Sequence, residues 1–114
     1  MNYDVIIVGA GPAGIFTAME MLKKGTQKKI LIIEKGKPIE KRSCPKAKAG
    51  KCLNCKPCNI TTGFSGAGAF SDGKLSLSRE VGGDLPDLIG AEEAQALIDY
   101  TDSIYLEFGA DTHV

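Results

Sequence analysis

The chain lacks a long hydrophobic run. Its longest, Val5 to Ala10, is far shorter than the roughly 18 to 20 consecutive apolar residues of a membrane-spanning helix, so no membrane anchor is expected. It also lacks a basic leader, because Asn2, Tyr3 and Asp4 precede a short apolar stretch that runs into glycines rather than a cleavage site. No secretory signal is expected, and the cytoplasm is the default compartment. Histidine occurs once, as His113, outside any motif and beside the terminus, where an ordinary exposed residue is expected.

Two further absences concern charge. Basic residues are missing from Glu80 to Val114, which carry nine acidic side chains. Aromatic residues are missing from Lys23 to Lys56, which hold twelve Lys and Arg against Glu34 and Glu40. The zero net charge therefore conceals one block of +10 and one of −9. A basic stretch of this density can attract phosphates, nucleic acid or an acidic surface, although such blocks are ordinarily solvated faces. Without interleaved aromatics it offers no stacking platform for single strands, so nucleic acid is not the expected partner.

What is present describes a globular chain. Its 114 residues are 43% hydrophobic and 25% charged, which suits one small domain and excludes a disordered tail, a collagen-like polymer and a coiled coil. Glycine is abundant, with 14 residues against a usual share of roughly 7%. No internal repeat is visible.

Tyr3 to Val8 is a β-branched run without alternation, which predicts a strand buried on both faces in a parallel sheet. Gly9-Ala10-Gly11-Pro12-Ala13-Gly14 then makes a tight turn, with Pro12 suited to a first helical turn. Ile15, Ala18, Met19 and Leu22 recur at helical spacing, Lys23 and Lys24 suit the negative end of the dipole, and Gly25 is a ready stop. Lys29 to Glu34 repeats the strand pattern. Residues 1–36 thus predict an α/β fold with one right-handed βαβ unit, a partial Rossmann-like arrangement. Residues 37–62 form an aperiodic Cys-rich loop. Residues 63–79 form a Gly-rich segment of the kind that approaches a ligand closely, ending in a short strand. After a turn-rich stretch, residues 91–108 predict a C-terminal helix stopped by Gly109.

The glycine motif has a physical purpose in this context. A dinucleotide pyrophosphate must come close to a helix N-terminus, where unpaired N–H groups and the positive end of the dipole meet it. Gly9 allows the turn, Gly11 lets backbone touch the pyrophosphate, and Gly14 lets the helix pack on the strand. Glu34 ends the second strand, where a carboxylate accepts hydrogen bonds from ribose hydroxyls. The same carboxylate would repel a 2′-phosphate, which argues against NADP.

Cys44, Cys52, Cys55 and Cys58 form a C-x7-C-x2-C-x2-C cluster. Four thiolates suit tetrahedral zinc or an iron–sulfur cluster, and nearby Lys46, Lys48, Lys51 and Lys56 would lower the thiol pKa values. Redox-active thiols beside a cofactor and cysteines that merely pack are the other readings, and the spacing does not choose between the metals.

Asp4 to Gly14 through Glu34-Lys35-Gly36 resembles the N-terminal FAD-binding βαβ unit of the glutathione-reductase-like FAD/NAD(P)-binding superfamily. The cysteine loop followed by Gly63-Phe64-Ser65-Gly66-Ala67-Gly68-Ala69-Phe70-Ser71-Asp72-Gly73-Lys74-Leu75 is similar to an uncharacterised family of bacterial and archaeal FAD-dependent dehydrogenases. This resemblance implies that Gly9, Gly11, Pro12, Ala13 and Gly14 hold the pyrophosphate and that Glu34 and Lys35 lie at the adenosine ribose. It implies also that Gly66, Ala67, Gly68, Ser71, Asp72, Gly73 and Lys74 approach the flavin. Ser65 departs from the family's Gly-Gly-Ala-Gly, a small-for-small change expected to preserve the backbone approach. The cysteine spacing does not match that of redox-disulfide flavoproteins, and that chemistry is not carried over.

The resemblance makes the chain an FAD-binding portion of a flavin-dependent oxidoreductase with no catalytic residue nominated. In a doubly wound sheet the first strand is central and needs a second neighbour from later sequence. The chain is therefore expected to be the N-terminal piece of a longer flavoenzyme, or half of a split one completed by a second polypeptide, and to bind flavin weakly or not at all alone. The rival readings are a zinc-binding interaction module, which leaves the glycine motif and Glu34 unexplained, and an NAD-binding module, which shares the fingerprint.

Overall fold

A computed structural model describes residues 1–112, so His113 lies outside the described residues. The chain divides into two compact units, Met1–Ser71 and Asp72–Val114. In the first, β1 (Val5–Val8), α1 (Pro12–Lys23) and β2 (Ile30–Ile33) follow in order. The strands pair in parallel, with Val5 opposite Ile30 and Val8 opposite Ile33. This is the mixed helix-and-strand organisation expected of the first 36 residues. The pairing is closed at both ends: the Lys29 N–H donates to Asp4 Oδ2 at 2.8 Å, and the Gly9 N–H donates to the Ile33 carbonyl at 2.7 Å.

Local chemistry explains the limits of α1. Pro12 occupies the first helical position, where its missing N–H has no intrahelical acceptor to lose. At the other end the Gly25 N–H donates to the Leu22 carbonyl at 2.9 Å and the Thr26 N–H to the Met21 carbonyl at 3.2 Å. These two bonds satisfy carbonyls that the helix leaves unpaired, with Gly25 adopting the left-handed conformation that turns the chain away.

β1 differs from the sequence expectation of burial on both faces. Val5 and Ile7 are half-buried, whereas Ile6 is 58% and Val8 84% exposed. Alternation along a strand sends these two pairs to opposite faces. The face carrying Ile7 meets α1 at Gly14, and the face carrying Ile6 and Val8 is uncovered within this unit.

The Cys-rich loop contains a short 3₁₀ turn at Ile39–Lys41 and a one-turn helix, α2 (Lys46–Ala49). It returns to the sheet end at Gly63, which bridges Lys37 in parallel fashion, with the Phe64 N–H donating to the Lys37 carbonyl at 3.0 Å. The Gly-rich segment then forms a 3₁₀ turn at Ala67–Phe70. Its expected terminal strand is not formed, since residues 74–78 are irregular and β1 and β2 make the one sheet among the described residues. A strand needs a ladder partner, and here the Leu77 carbonyl instead accepts from the Gln95 side chain.

The second unit carries α3 (Leu85–Ile89) and α4 (Ala91–Glu107). α4 matches the predicted C-terminal helix, whereas α3 lies in the stretch read as turns. Ala94 is fully buried. Gln95 Nε2 donates to the Leu77 carbonyl at 3.1 Å and to Asp99 Oδ1 at 2.8 Å, tying the segment before α3 to the helix. No helix among the described residues is long and apolar enough to cross a membrane.

Candidate nucleotide site

The C-terminal ends of β1 and β2 open onto a cleft of about 400 Å³ lined by Val8, Gly9, Ile33, Glu34, Lys35, Thr61, Thr62, Gly63 and Gly66. Ligands of parallel α/β sheets bind outside the carboxyl ends of the strands, and this volume falls within the roughly 300–1,000 Å³ of small-molecule sites.

Glu34 organises the near wall. Its Oε2 accepts the Ala10 N–H at 2.9 Å and its Oε1 accepts the Gly36 N–H at 2.8 Å. These two bonds, with the positive charges of Arg42 and Lys35, hold the carboxyl below its usual range despite partial burial. One carboxylate thus ties the fingerprint turn to the end of β2. Each oxygen retains a second lone pair, so the group can still accept hydroxyl donors from the cleft.

Gly11, Pro12, Ala13 and Gly14 open α1, where the N–H groups of Ala13 and Gly14 have no intrahelical acceptor. The backbone is packed too tightly at Gly14 for a side chain: a Cβ there would collide with the Gly9 carbonyl oxygen and lie 3.2 Å from Ile7 Cγ2. Gly11 is different, since a Cβ would meet nothing nearer than Gly66 Cα at 3.9 Å. A side chain at that position meets only ordinary contact distance, unlike Gly14. The backbone therefore fits a pyrophosphate at this turn.

The far wall comes from the Gly-rich segment. The Ser65 N–H donates to the Ala10 carbonyl at 2.7 Å, which brings Gly66 over the fingerprint turn. A Cβ on Gly66 would lie 3.2 Å from Gly11 Cα and 3.3 Å from Pro12 Cδ, and its φ of 68° is one that L side chains rarely adopt. Ser65 also sits in the left-handed region, at φ 73°. Serine in place of glycine at position 65 is therefore not conformationally neutral, contrary to the expectation of a harmless small-for-small change.

Arg42, which no sequence motif singles out, holds this wall. Its Nε donates to the Asn59 carbonyl at 2.9 Å, Nη2 to Ile60 at 2.6 Å, and Nη1 to Phe64 at 2.6 Å and Gly66 at 2.8 Å. Its guanidinium carbon also lies 4.7 Å from the centre of the Phe70 ring. It is 5% exposed. The only sequence signal was an arginine within a run of lysines, a choice that suits multidentate bonding.

The remaining predicted residues are distributed differently. Ala67 and Gly68 lie in the exposed 3₁₀ turn, and the Ser71 hydroxyl donates to the Gly68 carbonyl at 3.0 Å. Asp72, Gly73 and Lys74 belong to the second unit, where they line a separate cleft of about 440 Å³ with Leu75, Asp102, Ala110 and Asp111. Lys74 pairs with Asp72 at 3.3 Å, both largely exposed, an arrangement that contributes little stability.

The four cysteines are free thiols. Among the described residues no three or more His, Cys, Asp or Glu side chains gather as a metal site, so this arrangement does not supply the expected four-thiolate donor set. Two sulfurs are engaged locally instead. Cys52 Sγ accepts the Asn54 N–H at 3.4 Å. The Cys58 sulfur receives the N–H groups of Thr61 and Ile60 and the Thr61 hydroxyl, which with the charge of Arg42 hold its pKa below that of an ordinary thiol against the opposing effect of burial.

No curated protein and no solved structure matches the chain. Residues 2–52 match the model of a family described as an FAD binding domain, a span that takes in β1, α1, β2, Glu34 and Arg42, and this part of the chain is thus similar to FAD-binding domains of the FAD/NAD(P)-binding superfamily.

Proposed function

We propose that residues 1–71 form the adenosine-diphosphate end of an FAD site and that the chain is the N-terminal FAD-binding part of a flavin-dependent oxidoreductase, a dehydrogenase of the family it resembles. The observation that carries this reading is the cleft at the ends of β1 and β2, in which the fingerprint turn, Glu34 and the Gly63–Gly66 wall converge. In such a site Glu34 would accept the ribose hydroxyls, while the backbone at Gly11, Ala13 and Gly14 would receive the pyrophosphate. FAD, when bound, would supply hydride or electron transfer, and this chain's residues would supply binding and orientation. The FAD binding domain match favours FAD over NAD.

The exposed Ile6 and Val8 support a further proposal. The sheet would be completed by later sequence of a longer protein or by a second polypeptide, and flavin affinity of the chain alone would be weak. Four unpaired thiols suit a reducing compartment, and the cytoplasm is the proposed location.

The test is an NMR titration of the chain with ADP, which carries the pyrophosphate and ribose and needs no flavin pocket. Amide shifts are expected at Gly9, Gly11, Ala13, Gly14, Lys35 and Gly66. Shifts confined to residues 75–102, or none at high ADP, would refute the nucleotide reading. Zinc and iron analysis of the purified protein tests the cysteines separately.

A further inference from the structure

Arg42 is the one buried charged side chain among the described residues, and its bonding is unusual for a buried cation. All four of its hydrogen bonds go to neutral carbonyls, those of Asn59, Ile60, Phe64 and Gly66. No ion pair joins it to a carboxylate among the described residues. A charge taken out of water is ordinarily matched by an opposite one, because hydrogen bonds to neutral acceptors return only part of the lost solvation.

The groups that could match it are few. Glu34 is near enough to feel the guanidinium, but its two oxygens already accept the N–H groups of Ala10 and Gly36, and Lys35 acts on the same carboxylate. The Cys58 sulfur also feels Arg42, yet it carries negative charge only when ionised. With that thiol protonated, the cleft and its backing hold two cations, Arg42 and Lys35, against the single anion Glu34. The donor-rich first turn of α1 adds to the positive side.

The position of the surplus is also informative. Gly66, whose carbonyl accepts from Nη1, is the residue that lies over Gly11. Asn59 and Ile60, held by Nε and Nη2, directly precede the wall residues Thr61 and Thr62. The guanidinium therefore stands one layer of backbone behind the surface where a pyrophosphate would meet the turn.

We propose that Arg42 is the positioning residue and built-in counter-charge of this cleft: it draws the wall carbonyls away from the ligand and presents a buried positive charge, through that wall, to the pyrophosphate of a bound dinucleotide. This rests on the nucleotide reading above. A purely structural arginine would support adenosine and ADP alike, whereas a counter-charge favours ADP selectively.

The experiment compares ADP with adenosine by NMR titration of the full chain. In the wild-type protein the preference for ADP over adenosine should survive 0.5 M salt, because a buried charge is screened far less than surface lysines. In R42Q the ADP affinity should fall by about tenfold beyond any fall for adenosine, while R42K, which keeps the charge but not the guanidinium fork, should recover part of that preference. Loss of the wild-type preference at high salt would overturn the proposal without requiring any variant to fold. So would equal losses for ADP and adenosine in R42Q, or an unchanged ADP affinity. A wild-type chain that binds neither ligand refutes the nucleotide reading and this inference with it, an outcome distinct from binding that is indifferent to Arg42.

Discussion

Replacing Gly14 with alanine tests the packing of α1 on β1, and replacing Gly11 tests the ligand side of the same turn. A Cβ at Gly14 would run into the Gly9 carbonyl oxygen and also lie 3.2 Å from Ile7 Cγ2 and 3.3 Å from the Gly9 carbonyl carbon. Two of those atoms are backbone, so relief requires α1 to move away from the strand. Forcing a methyl group into a filled space costs roughly 1–3 kcal/mol, and the better helix propensity of alanine returns about 0.5–1 kcal/mol. At the middle of these ranges the net loss for G14A is about 1.25 kcal/mol. At roughly 4–8 °C per kcal/mol for a unit of this size, the unfolding midpoint should fall by about 5–10 °C. In G11A the new methyl meets only Gly66 Cα at 3.9 Å, an ordinary contact, and the Gly11 backbone at φ −80° and ψ −178° is open to alanine. Its stability should stay within about 0.5 kcal/mol of wild type. If Gly11 is the position where backbone meets the pyrophosphate, a methyl there keeps the phosphate off the turn and ADP shifts should disappear. The assay is thermal unfolding by far-UV circular dichroism beside the ADP titration. If G14A melts like wild type, or G11A loses as much stability as G14A, the packing argument fails. If G11A binds ADP normally, the turn is not the pyrophosphate site.

Three other outcomes are expected. Ser65→Gly removes a side chain from the left-handed region and should raise stability by about 1 kcal/mol, seen as a higher unfolding midpoint; no change or a loss would mean that the serine side chain is used. Glu34 has a folded-state pKa below its unfolded value of about 4.3, so its stabilisation is present above that value and is lost as pH falls through the folded value. Wild-type stability should therefore drop in that acid window, whereas E34Q should melt lower at pH 7 and show a shallower acid limb. Cys58 should react with iodoacetamide at pH 7 faster than Cys44, Cys52 or Cys55, as mapped by mass spectrometry, because its thiolate receives N–H and hydroxyl donors. Equal rates at all four would show that these donors do not hold the thiolate in solution.

Much of the first 36 residues was legible because its determinants are local. Pro12 starts a helix and Gly25 stops one through backbone terms set within a few residues. Unbroken aliphatic runs rich in β-branched residues at Val5 and Ile30 make strands for the same reason, and the spacing from the fingerprint to Glu34 places a carboxylate at the strand end. The helix at Ala91–Glu107 follows from periodicity alone. The one-turn helix Leu85–Ile89 was hidden, since five residues are too few to display a period.

The rest depended on distant segments meeting. Ile6 and Val8 have the composition of core residues, yet their exposure depends on whether another layer covers that face. Ser65 carries no mark of its left-handed backbone; its N–H reaches the Ala10 carbonyl, and that long-range bond sets the turn. Four clustered cysteines suggested one centre, but sequence spacing constrains reach and not direction, and turn hydrogen bonds claim Cys52 and Cys58 separately. Arg42 shows the limit most clearly. In the sequence it is one cation within a basic block, whereas the folded chain brings four carbonyls from residues 59–66 onto its guanidinium. Residue order carries the strands, the helices and the glycine turn between them, because their energies are short-range. Burial, charge environment and the far wall of the cleft arise from contacts between segments remote in sequence, and these exist only once the chain has folded.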